Sequence, residues 1–156
     1  MDRKGFTLVE IMIVVAIIAL LAAIAIPNLL RARLNANEAA AQSTLKTIST
    51  ACESYRAAQT VPTYPTGDST VAGVGGLTDV NPAYLDAGIF LGAGRQGYIF
   101  NYDNVSANEY VAAARPANPN VTGIRCFGIN ESGVLRADPA NAAITDATYD
   151  AATVVQ

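Results

Sequence analysis

Hydrophobic and polar residues divide this chain into an apolar first part and a polar second part. Residues 11–26 contain no charged or strongly polar side chain, and only Thr7 and Glu10 interrupt the apolar run at its start. A helix over this run would be about 31 Å long, close to the roughly 30 Å hydrocarbon core of a bilayer. The pattern therefore predicts a membrane-spanning helix over residues 6–28, preceded by a short polar leader, residues 1–5.

A second pattern begins after Pro27. Residues 29–59 contain no Gly or Pro, and their apolar positions recur mostly at the spacing of a helix with one apolar face. These positions are Leu34, Ala41, Leu45, Ile48, Cys52 and Tyr55. Proline either ends a helix or kinks it, because it lacks the backbone donor and crowds the preceding turn. Since the sequence beyond Pro27 still favours helix, we predict one helix from about residue 6 to 59, kinked at Pro27.

The second half of the chain carries strand signals. A connecting loop is predicted over residues 60–96, which are rich in Pro and Gly, and a sheet head over residues 97–137. The tail, residues 138–156, offers little to bury, and we expect it to wrap the surface or to be loosely ordered. Four strands in an antiparallel meander are expected at Gly97–Asp103, Glu109–Pro116, Gly123–Asn130 and Gly133–Ala137.

Together these elements predict an α+β fold. An amphipathic helix and a small sheet each have an apolar face that must be covered. The helix stripe through Leu45, Ile48, Cys52 and Tyr55 is therefore expected to pack on a small antiparallel β-sheet of about four strands.

Two cysteines lie far apart in the sequence, Cys52 on the predicted helix and Cys126 on the third predicted strand. Both fall on positions expected to face the core, and Ile124 shares the strand face of Cys126. If the head lies outside the cytoplasm, a disulfide between them would persist and would tie the helix to the strand. Two small buried thiols satisfy the same pattern, so the sequence leaves both alternatives open.

The composition argues against most catalytic and cofactor chemistry. The absence of His removes Ser-His-Asp and Cys-His nucleophile arrangements, His-ligated haem and most catalytic zinc sites. No CxxC motif, P-loop or evident calcium-ligand spacing occurs. We therefore predict no enzyme activity, no catalytic residue, no metal and no cofactor. With a net charge of −3, nucleic acid is not expected as a primary partner, because a basic patch is its usual footprint.

The stretch KGFTLVEIMIVVAIIALLAAIAIP, from Lys4 to Pro27, closely resembles the N-terminus of type IV pilins and of the related type II secretion pseudopilins. The motif combines a basic residue, Gly, Phe, Thr, Leu, any residue and Glu with an unbroken apolar run. The resemblance implies that a membrane-embedded prepilin peptidase cuts after Gly5 and N-methylates Phe6. It also assigns the family's acidic residue to Glu10 and its helix-breaking proline to Pro27.

The resemblance further implies a structural subunit of a type IV pilus filament. Such a subunit begins as a single-pass protein of the bacterial inner membrane with a cytoplasmic N-terminus, and it ends in a homopolymeric filament at the cell surface. Its partners would be the prepilin peptidase, a pilus assembly platform and an ATPase, because the chain carries no P-loop of its own. The N-terminal motif does not separate this function from that of a pseudopilin of a type II secretion system, which stays the alternative.

Glu10 needs a physical explanation, because a carboxylate inside a membrane segment costs roughly 2.5–3.5 kcal/mol. Cleavage after Gly5 would turn the α-amino group of Phe6 into a cation that can offset this cost. We expect Glu10 of one subunit to meet the Phe6 amine of its neighbour when the apolar helices bundle. Removing one partner of a buried ion pair costs about 3–5 kcal/mol, so a misplaced subunit would be penalised and the pair would set the axial register.

Overall fold

The structure is a computed structural model in which the chain divides into two compact units, residues 1–33 and residues 34–156. The described parts of the chain are residues 6–66, 76–90, 94–138 and 144–155.

Helix α1 extends over Leu8–Ala58. Pro27 lies inside this helix rather than at its end, so the proline does not terminate it. The residues beyond Pro27 are mostly good helix formers, such as Leu, Arg, Ala and Glu, which explains why the helix continues. The observed bounds lie close to those predicted from the sequence.

In the described parts of the chain, five antiparallel strands form one open sheet in which successive strands are neighbours. The α+β prediction is confirmed, although the sheet has one strand more than expected. A short 3₁₀ helix, Ala87–Ile89, lies in the predicted loop. The third and fourth strands begin later than predicted. The strands are β1 (Tyr98–Ser106), β2 (Glu109–Pro116), β3 (Cys126–Asn130), β4 (Leu135–Asp138) and β5 (Thr153–Val154).

The apolar face of α1 packs against one face of this sheet. Leu45, Ile48 and Cys52 of the predicted stripe are fully buried there, whereas Leu34 and Tyr55 are half-buried. Their partners across the interface are aromatic and aliphatic side chains of β1 to β4: Tyr98, Phe100, Tyr102, Tyr110, Ala112, Ala114, Phe127, Ile129, Leu135 and Ala137. The packing that the periodicity predicted is therefore confirmed.

The two cysteines lie on opposite faces of the sheet. Phe127 belongs to the cluster that includes α1, so its strand neighbour Cys126 faces the other way. Cys52 and Cys126 are both buried, and no disulfide joins them. The structure therefore fits the two-thiol alternative and contradicts the disulfide. Ile124, which was expected beside Cys126, precedes β3 and is exposed.

The prediction that the C-terminal tail buries little is wrong. Residues 144–155 contain a short helix, α2 (Asp146–Tyr149), and the edge strand β5. Ile144 and Tyr149 are almost fully buried against the sheet face that α1 leaves open. The side chains of β2 and β3 that they cover, Val111, Ala113 and Cys126, are smaller than Ile144 and Tyr149.

The polar side of α1 carries several hydroxyl groups that turn back onto the helix itself. Each donates a hydrogen bond of 2.8–3.0 Å to a backbone carbonyl three or four residues earlier. The donors are Ser43, Thr44, Thr47, Thr50 and Ser54.

Candidate assembly site at the start of the long helix

Thr7 and Glu10 form a capping box at the N-terminus of α1. The backbone N–H of Thr7 donates to Glu10 Oε2 at 2.7 Å, and the backbone N–H of Glu10 donates to Thr7 Oγ1 at 3.3 Å. The Thr7 hydroxyl donates to the same carboxylate oxygen at 2.8 Å. The first N–H groups of a helix have no partner inside it, so this exchange satisfies two of them and fixes the carboxylate. The sequence analysis missed this role of Thr7, although the spacing Thr-x-x-Glu is its recognised signal.

The two oxygens of the Glu10 carboxylate are in different situations. Both hydrogen bonds from Thr7 use Oε2. Within the described residues, no group donates to Oε1. One oxygen of the carboxylate is therefore held by its own helix, and the other is open to a donor from elsewhere.

Apolar side chains surround Glu10 on every side of the helix, and they are exposed. Phe6 is 86% exposed, Leu8 is 74% exposed, and the large side chains from Val9 to Leu30 are likewise exposed. A helix that is apolar all round belongs inside protein or lipid. Of the helices in the described parts of the chain, α1 is the one long and apolar enough to cross a membrane.

The predicted processing junction lies at the edge of the described chain. Gly5 falls outside the described residues, whereas Phe6 immediately precedes the capping box and is exposed. Thr7, whose N–H and hydroxyl hold Glu10, is thus the residue after the predicted new N-terminus.

A second polar cluster lies in the head, where Glu38 of α1 is the buried charged residue of the described chain. Its Oε1 accepts the backbone N–H groups of Ile124 and Arg125 at 3.1 and 3.3 Å. Its Oε2 accepts Nε and Nη2 of Arg125 at 2.9 and 2.7 Å. The carboxylate is thus fully occupied, and it fastens the connection between β2 and β3 to the helix. The sequence analysis missed this contact, because the partner residues are distant in sequence.

Neighbouring residues reinforce the same attachment. Asn37 Nδ2 donates to the carbonyl of Thr122 at 2.9 Å, and the Tyr98 hydroxyl donates to the carbonyl of Arg125 at 2.9 Å. A Cβ at Gly123 would lie 2.0 Å from that hydroxyl oxygen, so only glycine fits there. These contacts explain a structural role for the cluster and supply no reactive group.

The two thiols have low reactivity in the folded protein. Burial raises the pKa of Cys52 to about 12 and that of Cys126 to about 11. Both therefore stay protonated at neutral pH, and a protonated thiol is a poor nucleophile and metal ligand. In the parts of the chain that the structure describes, no three Cys, Asp or Glu side chains come close enough together to hold a metal ion.

Comparison with known proteins points to the N-terminal segment. The model of the prokaryotic N-terminal methylation motif matches residues 1–26. The chain is 50% identical over 53 residues to the type IV major pilin protein PilA of Myxococcus xanthus, which is 34% of this chain and 24% of the relative. It is 65% identical over 37 residues to the type IV wide pilus major component PilA4 of Thermus thermophilus, which is 24% of this chain and 28% of the relative.

These matches cover only part of each protein. The chain spans about a quarter of the length of the curated relatives it matches. No solved structure matches it.

A long N-terminal helix that carries the methylation motif and packs on an antiparallel sheet defines a protein of pilin-like architecture. The resemblance to type IV pilins is confirmed by the motif and by both relatives.

Proposed function

We propose that this chain is a structural subunit of a type IV pilus filament. The observation that carries the proposal is the exposed, all-apolar start of α1 with one capped carboxylate at its entrance. This surface needs a bilayer before assembly and a bundle of like helices afterwards, because water cannot accommodate so much contiguous apolar area. The named relatives are pilus components, which favours a pilin over the pseudopilin alternative.

Processing creates the partner that Glu10 needs. We infer that prepilin peptidase cuts after Gly5 and that the new N-terminal residue, Phe6, is N-methylated. The new amine of Phe6 then lies directly before the capping box at Thr7 and carries a positive charge. An N-methylated secondary amine keeps this charge and two N–H donors.

The open oxygen of Glu10 is the acceptor in this proposal. Because Thr7 already occupies Oε2, the capping box and an ion pair through Oε1 can exist together. The helix thus orients the carboxylate before any neighbour arrives, which lowers the entropy cost of the contact. A Phe6 amine from the next subunit would complete the site and fix the axial register of the filament.

Assembly also requires proteins that this chain does not supply. We propose that the subunit waits in the inner membrane as a single-pass protein with its N-terminus in the cytoplasm. An assembly platform and an ATPase would then extract it into a filament at the cell surface. In this scheme Pro27 kinks α1 between the membrane half and the head half.

The mature N-terminus provides the first test. Intact-mass analysis of the protein purified from its native cell should give a chain that starts at Phe6 and is heavier by one methyl group. A Gly5→Val variant, which crowds the junction with a branched side chain, should keep the leader. A native protein that starts at Met1 inside filaments would contradict the proposed processing.

Two matched substitutions separate the charge of Glu10 from its capping role. Glu10→Gln keeps an oxygen that accepts the Thr7 hydrogen bonds but removes the negative charge. Thr7→Val removes the hydroxyl but leaves the charge and the backbone N–H bond. Both variants should insert into the membrane and be cleaved, which immunoblotting of membrane fractions would show.

Filament yield then decides between the two roles. Electron microscopy of sheared surface material should find filaments from Thr7→Val and none, or very few, from Glu10→Gln. Filaments in normal number from Glu10→Gln would refute the ion pair. The absence of filaments from the wild-type chain under native expression would favour the pseudopilin function instead.

A further inference from the structure

The C-terminal residues 144–155, which we call the C-terminal strap, cover the sheet face opposite α1. Ile144 and Tyr149 of the strap pack on Val111, Ala113 and Cys126. The strap also lies directly on Gly128, where a Cβ would come within 2.8 Å of Ile144 Cγ2. The burial of the three sheet side chains therefore depends on the strap.

The strap is too short to be stable by itself. Its helix α2 has four residues and its strand β5 has two, far below the length at which isolated helices or hairpins persist in water. Its position must therefore come from its contacts with the sheet.

The strap joins the outer edge of β4 through a short ladder; the Tyr149 hydroxyl also donates a hydrogen bond to the Val134 carbonyl, and Val155 packs against the cluster that includes α1. Arg136 pairs with Val154 and Ala137 with Thr153 in the sheet register. The Val155 N–H donates to the Leu135 carbonyl at 2.9 Å, and the Thr153 hydroxyl donates to the Ala137 carbonyl at 2.8 Å.

Arg136 of β4 reaches several parts of the strap. Its Nη1 donates to the carbonyls of Asp150 and Ala152 at 2.7 and 3.3 Å, and its guanidinium carbon lies 4.9 Å from the centre of the Tyr149 ring. Its Nη2 is 3.6 Å from Asp150 Oδ1, a weak contact because that carboxylate is exposed. Its Nε is buried and has no hydrogen-bond partner among the described residues.

We propose that the C-terminal strap detaches from the sheet as a unit while the rest of the head stays folded, and that Arg136 sets how often it does so. The strap is held by a two-residue edge strand and by two buried side chains, Ile144 and Tyr149, and small peripheral units of this kind open before the whole protein unfolds. Detachment uncovers the apolar surface of Val111, Ala113 and Cys126 together with the backbone edge of β4. The two faces of the sheet thus differ in accessibility. One face stays covered by α1, whereas the other is uncovered whenever the strap detaches.

The two cysteines report on the two surfaces separately, since Cys52 of α1 is buried between the helix and the sheet and Cys126 lies under the strap. The full-length protein in detergent micelles is treated with iodoacetamide under native conditions, and peptide mass analysis follows each cysteine. For each variant the labelling rate is divided by the wild-type rate of the same cysteine. This ratio removes differences in intrinsic reactivity between the two thiols.

Arg136→Gln should raise the Cys126 rate at least about tenfold and leave the Cys52 rate within about twofold. Gly128→Ala, which displaces Ile144 directly, should act in the same direction and provides a second variant if the first fails to fold. Arg56→Gln is the matched control: Arg56 lies 4.9 Å from the centre of the Tyr64 ring in the other cluster. It should leave the Cys126 rate unchanged.

Two results would overturn the proposal. Equal acceleration of Cys52 and Cys126 would mean that the strap opens only when the whole head unfolds. Unchanged Cys126 labelling in both Arg136→Gln and Gly128→Ala would mean that the strap does not detach, or that Arg136 does not control it.

Discussion

Glu38 and Arg125 are 87 residues apart in the chain, yet the carboxylate of Glu38 accepts hydrogen bonds from Nε, Nη2 and the backbone N–H of Arg125. The Glu38 side chain is 7% exposed and that of Arg125 is 44% exposed. Loss of the acid therefore leaves two part-buried backbone N–H groups without their acceptor, whereas loss of the base leaves a buried carboxylate without its counter-ion.

Both single substitutions at this pair should therefore destabilise the head. Glu38→Ala and Arg125→Ala are each expected to lower the free energy of unfolding by about 2–4 kcal/mol. The double variant should be less destabilised than the sum of the two by about 1–3 kcal/mol, because the second change removes the group that the first left unpaired. Urea unfolding followed by circular dichroism measures all three, with exposed Glu131→Ala as a control expected within about 0.5 kcal/mol of wild type. A coupling energy near zero would contradict the role given to the pair.

Gly123 lies so close to the Tyr98 hydroxyl that a methyl group cannot be added at Gly123 without a clash. The Cβ of Gly123→Ala would lie 2.0 Å from the hydroxyl oxygen and 2.5 Å from Cζ of the fully buried Tyr98 ring. We expect a loss of about 1–3 kcal/mol in the free energy of unfolding. Tyr98→Phe in the Gly123→Ala background should recover part of this loss, because it removes the closest clashing atom. Full additivity of the two changes in thermal unfolding would show that the clash is not with the hydroxyl.

Alkaline pH should destabilise the head through its buried thiol Cys52. A thiol is charged only when deprotonated, so burial raises the pKa of Cys52 from 9.0 to about 12. The unfolded chain therefore loses this proton first, and the free energy of unfolding is fully retained below pH 9.0 and falls as the pH rises towards 12. Urea unfolding at a series of pH values measures the decline. Cys52→Ala should make the decline less steep, whatever that substitution does to stability at neutral pH, while the part due to the buried Cys126 thiol remains. An unchanged slope would exclude Cys52 as a source.

The proposed kink at Pro27 has a consequence for hydrogen exchange. Proline cannot donate to the carbonyl of Ala23, four residues earlier, so the helix lacks one hydrogen bond there. Pro27→Ala should restore that bond and slow amide exchange in the turns around it, which mass spectrometry of the micelle-bound protein resolves. Pro62→Ala, a substitution outside α1, should leave exchange in the same peptides unchanged. Equal exchange in wild type and Pro27→Ala would show that the proline does not weaken the helix.

Local periodicity and strand signals predicted much of the head. The spacing of Leu45, Ile48 and Cys52 needs only the geometry of one helix, and the first four strands are contiguous segments with polar turns between them. The capping box was also readable, because Thr7 and Glu10 are three residues apart.

Contacts between distant residues were not predictable in the same way. From the sequence alone, Glu38 has the features of an ordinary surface residue of a helix. It is buried because Arg125, in a loop far along the chain, packs over it. The burial of the C-terminal strap was not predicted for a related reason. Ile144 and Tyr149 are two apolar residues in a polar segment. They are buried because they pack on small side chains of β2 and β3. The face occupied by Cys126 was not readable either, because Cys126 and Phe127 are adjacent apolar residues on opposite faces of the strand and either could face the helix.

The back-bonded hydroxyls of α1 affect what its outer side can tolerate. The hydroxyl groups of Thr47, Thr50 and Ser54 each donate a hydrogen bond to a backbone carbonyl of the same helix. Stripping water from these three hydroxyls would therefore leave none of their protons without an acceptor, and dehydrating them should cost little free energy. A contact that covers them would not have to supply a new hydrogen-bond acceptor.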